Sequence, residues 1–114
     1  MTAGVTTLFN GANRTVRSIP SVTTVVTLET FDNEQSFVAL RSAYIVVGTA
    51  STISAWLDDG STQFPLIDAE AFGANSRTLI DFGGMEVKVD DILKVQTSNA
   101  DEVAFYFNFT EVGR

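Results

Sequence analysis

Four residues at period two, Val103, Phe105, Phe107 and Phe109, constrain the fold of this chain more than any other feature. Ala104, Tyr106, Asn108 and Thr110 alternate with them. Successive side chains of a strand point to opposite faces, so this stretch carries one aromatic face and one mixed polar face. An aromatic face of that density needs a second layer over it, and the rest of the chain has to supply a facing sheet. Phe105 and Phe107 are therefore expected in the core. Upstream, Leu93, Val95 and Thr97 alternate with Lys94 and Gln96. The turn-forming Ser98-Asn99-Ala100-Asp101 between the two runs predicts a hairpin.

The same period recurs along the chain. Arg14–Pro20 reads as a short strand with Val16 and Ile19 apolar, closed by a proline that cannot donate to a ladder. Ser21–Phe31 is rich in Val and Thr, the β-branched types favoured on pleated surfaces, with Val22, Val26 and Leu28 on one face. Asp32-Asn33-Glu34-Gln35 is a polar break. Phe37–Val47 is almost continuously apolar and fits neither register cleanly, which predicts a buried strand with a bulge near Arg41–Ala43, a helix being the competing reading. Ile53, Ala55 and Leu57 alternate with Ser54, Trp56 and Asp58, and Asp59-Gly60 signals a two-residue hairpin. The return strand Thr62–Ile67 holds Pro65, which places it at a sheet edge. Asp68–Ser76 is the one stretch able to hold a helical turn. Arg77–Phe82 and Met85–Val89 read as strands on either side of a Gly83-Gly84 turn, and Asp90-Asp91 turns the chain again.

About eight strands with turns at short spacing predict an all-β antiparallel sandwich, jelly-roll-like. One domain is expected over residues 14–114, preceded by an arm over residues 1–13. The arm carries Val5, Leu8 and Phe9 as its large apolar side chains. It reads either as a first strand of the domain's own sheet or as a segment reaching a neighbouring subunit.

Composition removes several chemistries. The chain has no cysteine and no histidine, so disulfides, thiolate nucleophiles, Cys/His zinc sites and Ser-His-Asp triads are excluded. The formal net charge is −7, from 14 acidic and 7 basic residues. The basic residues are scattered, whereas phosphate-backbone binding needs them clustered, so no nucleic-acid partner is expected. No apolar run approaches the roughly 20 residues that span a bilayer, and no membrane partner or leader segment is expected.

Carboxylates are the remaining candidates for acid–base or calcium chemistry. They occur as Asp58-Asp59, Asp68/Glu70, Asp90-Asp91 and Asp101-Glu102, three of these at turns, where Asp bonds its own backbone. A structural role is expected, with no metal, cofactor or catalytic residue. Gly83-Gly84 lies between strands and is no phosphate loop. Trp56, Tyr44 and Tyr106 read either as a second layer of the core or as exposed rings that stack on sugars or anchor an interface.

From Phe37 onward, the run FVALRSAYIVVGTASTISAWLDDGSTQFPLI, a small-residue loop, and RTLIDFGGMEVKVDDILKVQTSNADEVAFYFNFTEV resemble small β-sandwich virion proteins of tailed bacteriophages. The carrying segment is Val89-Asp90-Asp91-Ile92-Leu93-Lys94-Val95-Gln96-Thr97-Ser98, which has Asp90 where that family more often has glycine. The resemblance implies a non-enzymatic structural role, either capsid decoration (cement) on a major capsid protein or a tail, neck, fibre or baseplate component. It also implies location in the virion and a homo-oligomer, with a trimer favoured. A carbohydrate-binding module using Trp56 is the competing reading. Val5, Leu8, Phe9 and Trp56 are the candidate interface residues.

Overall fold

The aromatic strand lies inside one of two facing sheets. The computed structural model describes residues 11–32 and 36–113, and these form eight strands with no helix among the described residues. The first sheet has the order β1 (Gly11–Ser18), β8 (Val103–Gly113), β3 (Ser36–Val47), β6 (Ser76–Val87). The second has the order β2 (Val26–Thr30), β7 (Ile92–Thr97), β4 (Ser51–Asp58), β5 (Gln63–Phe72). All pairs are antiparallel. Each sheet alternates strands from the two ends of the chain, which is the double Greek key of a jelly roll.

Alternation explains the core. Val103, Phe105, Phe107 and Phe109 of β8 are buried, facing Ile53, Ala55 and Leu57 of β4 and Leu93 and Val95 of β7. Phe105 and Phe107 stack at 5.9 Å between centroids, and Phe109 meets Phe31 at 5.1 Å, tilted by 56°. Such offset pairs add to what burial of the rings already contributes. Arg14 fastens the sheets along one side. From β1 it lies over the Phe31 ring, pairs with Glu29 of β2, and reaches Glu111 of β8 at 3.4 Å.

The bulge expected in β3 is present. Both ladders of β3 shift register between Leu40 and Ser42, leaving Arg41 as the extra residue. Pro65 sits in β5, at the edge of its sheet.

Several local expectations are corrected. Residues 98–102 do not close a hairpin, because β7 and β8 belong to different sheets. Each strand has its own apolar face, so they meet face to face across the core and the linker becomes an inter-sheet crossover. The Asp90-Asp91 turn is likewise a crossover from β6 to β7. Gly83-Gly84 is not a turn between two strands but a bulge inside β6, opposite Arg41. Asp68–Phe72 continues β5 as strand, with Ala69 at φ 47° where the register slips. β2 is shorter than expected, and Val22 and Val25 are exposed before it begins. β1 ends at Ser18, short of the expected Pro20, and Ile19 beyond it is exposed. The hairpin at Asp59-Gly60 has a four-residue loop, since Asp58 pairs with Gln63 and the Asp59 N–H donates to the Thr62 carbonyl.

Candidate assembly surfaces

The outward residues of the first sheet line up in register. Arg17 pairs with Tyr106, Tyr106 with Tyr44, and Tyr44 with Leu79, which makes one row across all four strands. The two tyrosine rings lie 6.2 Å apart, tilted by 47°. The adjacent row is Ala104, Val46 and Arg77. Leu79 is 65% exposed, and Ile19, 60% exposed, lies beside Ala104 and Tyr106 along a shallow recess of about 310 Å³. Strand alternation compels this arrangement: the partners that bury Phe105 and Phe107 turn Ala104, Tyr106, Tyr44 and Val46 outward. The result is an apolar, aromatic face flanked by two arginines on a chain of net charge −7.

Trp56 lies on the opposite side of the sandwich. It projects from the outer face of β4, half-buried between Lys94 of β7 and Pro65 of β5. Its Nε1 is shielded and has no hydrogen-bond partner among the described residues. Ser54, Gln63, Asp68 and Gln96 join it around a cleft of about 320 Å³. Tyr44 and Tyr106 are half-buried on the outer face as well, so none of the three rings enters the layer between the sheets. The arm residues Val5, Leu8 and Phe9 lie outside the described residues.

A third surface joins residues distant in sequence. Where β5 and β6 border the open side of the sandwich, Leu57, Phe64, Pro65, Met85 and Val89 line a groove of about 540 Å³. Asp59, Glu86, Lys88 and Asp91 rim it.

Asp58, Asp59, Asp91 and Glu102 bond neighbouring loop and turn groups, while Asp68 and Glu70 lie within β5. Asp58 accepts from Lys94 Nζ at 2.8 Å and from the Gly60 N–H at 2.8 Å. The Lys94 hydrogen bond, followed by that of Gly60, holds its carboxyl below the usual range. Asp59 Oδ1 accepts from the N–H groups of Thr62 and Ser61, which lowers its pKa as well. Asp91 Oδ2 accepts from the Lys88 N–H at 2.9 Å, and Glu102 accepts from the Thr49 hydroxyl. No group of three or more acidic side chains converges as a metal cage among the described residues.

The chain is similar in fold to solved shell and pilus proteins. It matches the VP2 protein of an infectious bursal disease virus subviral particle with a TM-score of 0.54 at 14% identity, over 91% of this chain and 33% of that one. A chain of the T13 particle of the same virus matches with a TM-score of 0.54 at 10% identity, over 91% and 31%. A chain of the Bacillus endospore appendages, a family of disulfide-linked pili, matches with a TM-score of 0.55 at 16% identity, over 90% of this chain and 86% of that one. The chain thus spans about a third of the viral chains and most of the pilus chain. At these identities the likeness is one of fold. No family model and no curated protein matches the sequence.

Proposed function

We propose that this chain is a structural subunit that works by non-covalent assembly, as a virion component and specifically a capsid decoration protein seated on a major capsid protein. The observation that carries the reading is the outer face of the first sheet. Its Arg17–Tyr106–Tyr44–Leu79 row and the adjacent Ala104–Val46–Arg77 row together offer apolar area, rings and two arginines on one face. Aromatic and arginine side chains are the usual anchors of protein interfaces. A jelly roll shared with shell and pilus proteins supports the same role. The pili of that comparison are linked by disulfides. This chain has no cysteine, so its own contacts rest on buried area and backbone pairing.

Co-sedimentation with shells built from the cognate major capsid protein tests the reading. The full chain is expected to pellet with the shells as a multimer, a trimer being favoured. Leu79→Asp and Tyr44→Asp are expected to remain in solution while keeping a β-sheet circular dichroism spectrum. Unchanged pelleting of both variants would refute the role of this face, and a full chain that never pellets would refute decoration.

A second reading has its own observation. Trp56 with Gln63, Asp68 and Gln96 combines a planar ring with amide and carboxylate groups, the chemistry that grips a sugar. Glycan binding abolished by Trp56→Ala, with no shell binding by the full chain, would favour it.

A further inference from the structure

We propose that residues 2–9 of one copy dock in the groove between β5 and β6 of a second copy and so link subunits. This inference rests on the assembly reading and names the contact between copies.

Charge and composition fit donor to acceptor. The segment Thr2–Phe9 has no charged side chain and carries Val5, Leu8 and Phe9. The groove has an apolar floor that leaves Phe64, Met85 and Val89 each about two-fifths to one-half exposed. Three of its four rim charges are acidic. Copies of a chain with net charge −7 repel each other, and an uncharged segment brings no further like charge to that rim. The walls are also suited to an extended guest. β5 and β6 are the outer strands of their sheets, and outer strands present backbone groups that an added strand can pair while its side chains fill an adjoining pocket.

Reach decides between the chain's own groove and a neighbour's. Gly11 opens β1 opposite Val112, Val112 is opposite Phe37, and one residue on, Val38 is opposite Val87 of β6. β1 therefore begins at the end of the sandwich where the groove lies, but on the far side of the first sheet. The separation is three strand spacings, about 14 Å. Phe9 stands two residues from Gly11 and reaches about 7 Å when fully extended, and Leu8 about 10 Å. Neither crosses to its own groove, whereas a second copy can receive Val5 and Phe9 together, since these two share one face of an extended segment.

Engineered cysteines test this cleanly in a chain that has none. Phe9→Cys and Val89→Cys, placed on separate full-length chains and mixed under mild oxidation, are expected to give a covalent heterodimer. A chain carrying both substitutions is expected to give covalent multimers. Met85→Glu is expected to weaken self-association roughly tenfold or more, because docking would bury an unpaired carboxylate. Each variant is checked for a native circular dichroism spectrum. Cross-linked monomers from the double variant would place the arm in its own groove and overturn the proposal, as would the absence of any cross-link. A native mass that stays multimeric in Met85→Glu would overturn this contact and leave the assembly reading standing. A wild-type chain that stays monomeric and never binds shells would end both.

Discussion

Phe105 and Phe107 are fully buried and stacked on one another in the centre of the core. Truncating either to alanine removes ring area and leaves a cavity in closely packed surroundings. The expected cost is about 3–5 kcal/mol. Chemical denaturation of each variant measures it, and losses under about 1 kcal/mol at both, the scale of uncritical sites, would contradict the packing. Asp58 makes a different kind of contribution. Hydrogen bonds from Lys94 and Gly60 hold its pKa below the unfolded value, as those from Thr62 and Ser61 do for Asp59. A depressed folded pKa means that the unfolded chain binds protons first. The stabilisation is therefore complete above the ordinary carboxylate value of about 4. It is lost as pH falls through the lower folded values. Asp58→Asn is expected to flatten this acid limb in thermal melts between neutral pH and pH 3, and an unchanged limb would show that the pairing contributes nothing.

At the scale of single elements, β6 shows how a bulge replaces a turn. Gly84 has φ +89°, and a Cβ there would lie 2.8 Å from Arg41 Nη1. Gly83 has φ +69°, and a Cβ there would meet nothing within 4 Å. Gly84→Ala is expected to cost about 1–3 kcal/mol, the usual penalty for a strained backbone position. Gly83→Asn should cost less, because asparagine tolerates the left-handed region. Equal losses in denaturation would show that the difference in backbone strain between the two positions is immaterial. These glycines also mark what the sequence concealed. β8 and β4 were legible because alternation is local, and the bulge at Arg41 was legible as a break in alternation. Gly83-Gly84 carries the same turn chemistry whether a strand reverses there or only slips by a few residues. The partner strand decides, and that information lies some forty residues upstream. The 98–102 linker conceals its crossover for the same reason, since a turn signal says that the chain reverses but not into which sheet. The groove was illegible because Phe64 and Met85 belong to different sheets and meet only after both close.

At the scale of the whole molecule, the strand orders β1-β8-β3-β6 and β2-β7-β4-β5 leave no part of the chain able to fold by itself. β8 lies between β1 and β3, so the first sheet cannot form until the last strand is in place. β7 does the same for the second sheet by joining β2 to β4. Ladders of such high sequence separation demand loop closure before contacts reward it, which makes folding slow and cooperative. Opening should be graded by position in the sheet. β8, β3, β7 and β4 have a neighbour on each side, whereas β1, β6, β2 and β5 have one. Native-state hydrogen exchange is expected to show the slowest amides on β8, β3, β4 and β7, with exchange free energies close to that of global unfolding. β2, short and bulged at Leu28, is expected to exchange early. The outer strands β5 and β6 then carry the assembly reading into the same measurement. If a second copy's segment pairs along them, their amides should gain protection as the protein associates, while the inner strands stay unchanged. Protection that rises on β1 and β2 instead would place the contact on the opposite side of the sandwich.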